Sequence, residues 1–273
     1  MSGRVVFVGA GPGALDLLTL RAVRTLQECD VVLHDELVPH DFVSLLRPGT
    51  TVINVGKRCG QVGMTQAAIN RMLVKHAAAG RRVVRLKCGD PAIFGRLGEE
   101  MQALREAGVE FAIVPGVTAA VAAAAAAQVT LTARGVASRV SFATASLAEH
   151  HQQEWRRCLE DKTTMVIYMP GRDYTALANA LTSAGAPADQ PCAVVARAGC
   201  NDEQVHYTAV AGLRCIAEFA SPAVVIVGEL ARDARQEQVS RVSNAALSER
   251  ELCSALAVAN ENIERSTTWQ TRT

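Results

Sequence analysis

Two small groups of ionisable residues stand where the chain could carry out acid–base and anion chemistry. Arg96 and Glu99 are three residues apart, just past the turn Cys88-Gly89-Asp90-Pro91. On a helix they share a face. There the guanidinium can hold a carboxylate through two hydrogen bonds, and Glu99 can take a proton. Asp35 follows the apolar run Asp30-Val31-Val32-Leu33, and Lys57 follows Thr51-Val52-Ile53-Asn54-Val55-Gly56. An acid and an amine at two strand ends can move protons if burial tunes them. The alternative is two solvated loop charges and a surface ion pair of small energetic value. Lys87, Arg58 and Arg134 extend the basic lining if the fold gathers them.

Positioning these groups requires strands that end beside one another. The first half alternates strand and helix. Arg4-Val5-Val6-Phe7-Val8 is a near-continuous apolar run that suits a buried parallel strand, and Asp30 to Leu33, Thr51 to Val55, Arg82-Val83-Val84-Arg85-Leu86 and Phe111-Ala112-Ile113-Val114 read as four further strands. Helical spacing covers 17–28, 65–79 (with Thr65 as N-cap) and 99–107, which stops at Gly108. This alternation predicts a parallel sheet flanked by helices. In such a sheet the strand ends share one edge, where ligands bind. Two turns on that edge stand out. Gly9-Ala10-Gly11-Pro12-Gly13-Ala14 nearly fits a dinucleotide fingerprint, although Pro12 removes one amide donor, and an ordinary strand-to-helix turn is the alternative. In the other, Gly89 permits close backbone approach and Asp90, ahead of a proline, is held extended. Pro115-Gly116-Val117-Thr118-Ala119-Ala120 opens an alanine-rich helix, where Thr118 reads as a ligand anchor or a plain N-cap.

The second half reads as a further α/β domain. Its strands lie near residues 139–142, 164–168, 193–195 and 223–227, with an added antiparallel strand near 204–208 and a helix over 174–184. The division expected is residues 1–116, 117–242 and a flexible tail over 243–273. The 273 residues carry 28 Lys and Arg against 27 Asp and Glu, a net charge of +1, which gives no electrostatic case for nucleic acid or a membrane surface. Eight cysteines without a C-x-x-C pair read as reduced, mostly buried thiols. The N-terminus runs straight into a strand without a signal-peptide pattern, and the expectation is a cytoplasmic protein. The six histidines show no metal spacing, so no metal is expected.

In order, Val8-Gly9-Ala10-Gly11-Pro12-Gly13, Asp30 to Asp35, Gly56-Lys57-Arg58, Val84-Arg85-Leu86-Lys87 with Gly89-Asp90-Pro91, Phe94-Gly95-Arg96, Gly98-Glu99-Glu100, Val114 to Ala120, Tyr168-Met169 and Ser221-Pro222-Ala223 resemble the tetrapyrrole methyltransferase family. The resemblance covers about residues 4–230. It implies two α/β domains with a cofactor and substrate cleft between them, S-adenosylmethionine as cofactor, S-adenosylhomocysteine as product, and a homodimer. It implies a cofactor site made of Pro12, Cys88, Gly89, Asp90, Ile93, Thr118, Ala119, Met169 and Ala198. Asp35 and Lys57 then match the acid and amine that handle protons, and Arg96 and Glu99 the pair that binds and deprotonates substrate. The implied reaction is C-methylation of uroporphyrinogen III at positions 2 and 7 to precorrin-2. A later precorrin as substrate, or a non-catalytic tetrapyrrole-binding relative, is the alternative. That alternative rests on departures from the family pattern: Cys88 and Leu97 replace glycines, Ala133 replaces a histidine, Ala145-Ser146 a Gly-His pair and Pro170 a glycine.

Overall fold

The first sheet is built entirely from the strands the apolar runs predict. These are β1 (Arg4–Gly9), β2 (Val31–His34), β3 (Thr51–Asn54), β4 (Arg82–Lys87) and β5 (Phe111–Val114). A computed structural model describes residues 3–56, 64–145, 152–160, 162–216 and 219–232. The five strands lie in the order β3-β2-β4-β1-β5 and every pairing is parallel. All their carboxyl ends therefore emerge on one edge. α1 (Leu20–Glu28) covers one face, where Ala22 and Leu26 pack with Val6, Val8, Val84 and Leu86. α2 (Gln66–Ala78) and α3 (Leu97–Glu106) cover the other, with Ile69, Leu73, Leu97 and Leu104 against Val5, Phe7, Leu33 and Val83. Each fully buried Leu contributes about 1.5–3 kcal/mol of transfer free energy.

The second sheet runs β6-β7-β10-β8-β9, from β6 (Arg139–Thr144), β7 (Thr163–Tyr168), β8 (Pro191–Ala196), β9 (Gln204–Ala209) and β10 (Ala223–Val227). Only β6–β7 is parallel, and β9 is the antiparallel addition expected from the sequence. α4 (Ala119–Ala126) lies on one face. Ala120, Ala123 and Ala124 pack there against Ala193, Val195 and Ile226, so small side chains let the helix approach the sheet closely. α5 (Gln152–Cys158) and α6 (Tyr174–Ser183) contribute Trp155, Leu177 and Leu181 to the other face. The described residues up to Ala231 belong to one compact unit that contains both sheets.

Several boundaries shift by a few residues from the sequence expectation, and two helix starts among them bear on the site. The helix expected from residue 17 begins at Leu20, because the Thr19 hydroxyl accepts the Ala22 amide at 3.1 Å and residues 15–17 form a single tighter turn. The helix expected from Glu99 begins at Leu97, whose side chain is drawn into the core. The six described cysteines are all free thiols, but only Cys29 and Cys192 are fully buried. The burial expected of most thiols fails for Cys215, which is exposed. Lys57, Arg58, Ser146, His150, His151 and the expected tail over 243–273 lie outside the described residues. Among the described residues no helix is long and apolar enough to cross a membrane, and no cluster of His, Cys, Asp or Glu could hold a metal.

Candidate functional site

At the carboxyl edge of the first sheet three turns meet backbone to backbone. Gly11 and Gly89 exchange two hydrogen bonds, Gly11 N to Gly89 O at 3.2 Å and Gly89 N to Gly11 O at 2.7 Å. A Cβ on Gly116 would stand 2.3 Å from the Gly89 carbonyl oxygen and 2.8 Å from the Gly9 Cα, so no side chain fits there. The Asp90 carboxylate ties the group together. It accepts the Ala92 amide at 2.8 Å and the Gly116 amide at 2.9 Å. Gly89 itself has φ +66°, and a Cβ there would point at Thr118 and the Ala119 amide from 3.8–3.9 Å. An open cradle is therefore left facing the start of α4, where helix amides lack intrahelical partners.

The second half of the chain closes on this edge. The Ala14 amide donates to the Gly199 carbonyl at 2.8 Å, which sets the Pro12 turn against the Ala198 loop. Ala198 is buried in the same apolar cluster that Ile93 and Ala119 pack against. Tyr168, at the end of β7, shares a 2.6 Å hydrogen bond between its hydroxyl and that of Thr118, and accepts the Ala120 amide at 3.1 Å. Thr118 is thus bonded across to the second sheet and makes no side-chain capping bond of its own. Burial pushes the Tyr168 phenol above its ordinary value. Met169 follows with 49% of its surface exposed and φ +50°. Phe94 (φ +50°), Arg96 (φ +52°) and Arg197 (φ +51°) share that left-handed backbone at the other strand exits. Such residues are held at a cost of about 1–3 kcal/mol each and gather at functional sites. The Phe94 ring lies 5.0 Å from that of Tyr168.

The charged residues sort into an outer and an inner set. Outside, Arg96 donates two hydrogen bonds to Glu99, from Nε at 2.8 Å and Nη2 at 2.7 Å. Both residues are more than half exposed, so water screens the pair and a ligand carboxylate can displace Glu99 from it. The pairing holds the Glu99 carboxyl below its ordinary value. Inside, Arg85, Lys87 and Glu100 are buried under α3. Glu100 accepts Arg85 Nε at 3.0 Å and Lys87 Nζ at 3.0 Å on its two oxygens. The other end of Arg85 is paired with Asp35, which sits just past β2 and is partly exposed. Burial and the neighbouring Arg85 push the Lys87 ammonium down. Lys87 therefore does not join a basic lining as the sequence suggests; alternation along β4 turns it, like Arg85, inward. Arg134 is exposed.

Sequence reasoning passed over Arg85, Glu100 and Tyr168 as site residues. The signal for the first two was present: Arg85 and Lys87 are two apart in an otherwise apolar strand, and buried cations need a buried counter-ion. The glycine replacements are also accounted for. Cys88 packs on the core beneath α1, and Leu97 on the core beneath α2 and α3. A cavity of about 200 Å³ bearing Arg4, Arg21, Arg24 and Arg82 opens at the opposite, amino-terminal end of β1 and β4, away from these turns.

A family model for tetrapyrrole (corrin/porphyrin) methylases matches residues 4–213. The chain belongs to this family. Siroheme synthase 1 of Yersinia pseudotuberculosis serotype I is 42% identical over 230 residues, 84% of this chain and 49% of that protein. The siroheme synthase of Sodalis glossinidius is 41% identical over 230 residues, again 84% and 49%. The chain thus spans about half the length of these curated relatives. Among solved structures, uroporphyrin-III C-methyltransferase from Thermus thermophilus superposes with a TM-score of 0.71 at 38% identity, over 85% of this chain and 94% of that one. The same enzyme complexed with S-adenosylhomocysteine gives 0.70 at 36% identity, over 84% and 99%. A cobalt precorrin-4 methyltransferase gives 0.71 at 29% identity, over 82% and 94%. In this tetrapyrrole methylase, then, the cradle at Gly89 and the Arg96–Glu99 pair sit on the family's α/β fold.

Proposed function

We propose that this protein transfers two methyl groups from S-adenosylmethionine to uroporphyrinogen III, at C2 and C7, to give precorrin-2. The observation that carries the reading is the cradle at Gly89, faced by Thr118 and Ala119 and flanked by a displaceable Arg96–Glu99 pair. The residues fit the cofactor: Gly89 leaves a gap that a Cβ would occupy, and the half-exposed Met169 and buried Ala198 supply apolar surface. Pro12, Cys88, Gly89, Asp90, Ile93, Thr118, Ala119, Met169 and Ala198 would hold it. When bound, the sulfonium supplies an electrophilic methyl.

The chain's own groups do the rest. Uroporphyrinogen III carries eight carboxylates, and the Arg96 guanidinium takes one bidentately as Glu99 lets go. The freed Glu99, or Asp35 on the neighbouring strand end, accepts the proton lost after carbon attack. Holding the pyrrole carbon in line with the methyl supplies most of the rate. Lys57 belongs to the same set by resemblance.

A later precorrin is the second reading, favoured by the 29% identity to a cobalt precorrin-4 methyltransferase at a TM-score of 0.71. Cys88 and Leu97 give it no support, because the Cys88 side chain packs on the core and leaves its backbone to the cradle, and the Leu97 side chain is buried in the core beneath α2 and α3. The two sheets act as two domains divided near Gly116, with the cleft between them. We also assign a homodimer, supported by exposed Val121, Val136 and Val140, and a cytoplasmic location, supported by the free thiols.

Anaerobic incubation with S-adenosylmethionine and fresh uroporphyrinogen III, followed by mass spectrometry, tests the activity. A gain of two methyl groups is expected. No gain, with S-adenosylhomocysteine binding intact, defeats this substrate.

A further inference from the structure

Beneath the site lie four charged groups in one chain of contacts: Asp35, Arg85, Glu100 and Lys87. Their formal charges cancel. Glu100 is 0% exposed and has both oxygens occupied, with Gln66 Nε2 adding a third donor to Oε1 at 3.2 Å. Arg85 is equally fixed, since its Nη1 donates to the Leu86 carbonyl at 3.1 Å while its far nitrogen holds Asp35. Buried ion networks are a poor way to stabilise a core, and apolar residues of the same volume commonly do as well or better. The position of this one points to another use. One end, Asp35, reaches the open edge with 31% of its side chain exposed. Glu100, where Arg85 and Lys87 meet, is anchored in the first turn of α3, one residue from Glu99. Asn70, one helical turn from Gln66 and hydrogen-bonded to it at 3.1 Å, donates to the Glu99 carbonyl at 3.3 Å and clamps that turn from α2.

We propose that Glu100 is a positioning residue for both carboxylates at the cleft: it sets Asp35 through Arg85, and Glu99 through the first turn of α3. This rests on the reading of Asp35 and Glu99 as proton-handling groups. Glu99 and Glu100 then have opposite tasks, one turned out to bond and release Arg96, the other turned in to hold the frame. Arg85 shares the positioning role, and Lys87 neutralises the carboxylate oxygen that Arg85 leaves.

The decisive variant is the double replacement Lys87→Met with Glu100→Leu, which removes a buried ion pair and refills its volume. Four quantities are measured: the thermal midpoint, S-adenosylhomocysteine affinity by calorimetry, and kcat and KM for uroporphyrinogen III. With the Glu100 anchor of Arg85 gone, kcat should fall about 100-fold while KM and cofactor affinity stay within about threefold. A purely structural network predicts the reverse: once the volume is refilled and the protein is stable, kcat returns to within about threefold of the parent, and that result overturns the proposal. If the double variant does not fold, Gln66→Leu removes one donor to Glu100 without touching a charge. It should lower kcat about three- to tenfold with KM unchanged, and an unaltered kcat overturns the proposal. A parent that methylates a precorrin instead of uroporphyrinogen III defeats the substrate reading alone, and the same kcat comparison on that precorrin decides this one. A parent that methylates no tetrapyrrole overturns both.

Discussion

Removing one oxygen from Tyr168 probes how the second half of the chain holds the cofactor cradle. In Tyr168→Phe the ring remains and two hydrogen bonds go, one to the Thr118 hydroxyl at 2.6 Å and one from the Ala120 amide at 3.1 Å. Ala120 is fully buried, so its amide, left without the Tyr168 oxygen, costs about 1–3 kcal/mol; half-buried Thr118 can turn to water and costs about 1 kcal/mol. The sum is roughly 2–4 kcal/mol, which for a unit of this size lowers the thermal midpoint by roughly 5–10 °C. The lost bonds hold the start of α4, so S-adenosylhomocysteine affinity should drop about tenfold as preorganisation is lost. Alkaline pH gives a second signature. The phenol's folded value lies above its ordinary 10.0, so its stabilisation is complete below pH 10 and disappears as pH rises through the raised value. The parent should lose more stability over that range than the variant, so the gap between them should narrow. Calorimetric scans and titrations of both proteins read all three effects. A midpoint within about 1 °C of the parent with unchanged affinity would refute the reasoning, because it would mean the Tyr168 hydroxyl does not hold α4.

Arg96→Ala should abolish methyl transfer yet leave S-adenosylhomocysteine affinity within about threefold, since the guanidinium bonds only Glu99 among the contacts seen; collapse of cofactor affinity in calorimetry would show that Arg96 lies on the cofactor side. Gly116→Ala forces a Cβ to within 2.3 Å of the Gly89 carbonyl oxygen, and backbone on both sides must shift. It should destabilise by about 1–3 kcal/mol, and an unchanged denaturation midpoint would mean the three turns do not meet as described. Burial pushes the Cys88 and Cys29 thiols up to about 11, while Cys215 is exposed. Iodoacetamide at pH 8 should therefore label Cys215 before Cys88 and Cys29, read by peptide mass spectrometry; labelling of Cys88 ahead of Cys215 would place it on the open edge instead of on the core.

Much of the frame was legible from pattern. The runs at Arg4, Val31, Thr51, Arg82 and Phe111 became five parallel strands; the three central ones are buried on both faces, as apolar runs suggest, while β3 and β5 at the sheet's edges are partly exposed. Thr65 caps α2 as its type and place suggested, with its hydroxyl accepting the Ala68 amide at 3.2 Å. Thr118 stands at the N-cap of α4 as read, but its hydroxyl does not cap the helix, because the fold brings the Tyr168 hydroxyl within 2.6 Å from fifty residues away. The inward turn of Lys87 was missed for a related reason. Strand alternation puts it on the same face as Arg85, but only the packed sheet shows that α3 covers that face and brings Glu100 to it.

The sequence by itself determined the strand–helix alternation, the turns that need glycine, and the three-residue spacing that lets Arg96 reach Glu99, because each depends on interactions spanning a few residues. The shared helical face expected for that pair is replaced by a left-handed N-cap at Arg96, one residue ahead of α3. Only the tertiary structure decided which charge faces out and which faces in. Neighbours Glu99 and Glu100 differ by one residue and by the whole of the protein's solvent boundary. That boundary, and the meeting of Arg85 with Asp35 across fifty positions, is set by the packing of α3 on the sheet, which no local pattern encodes.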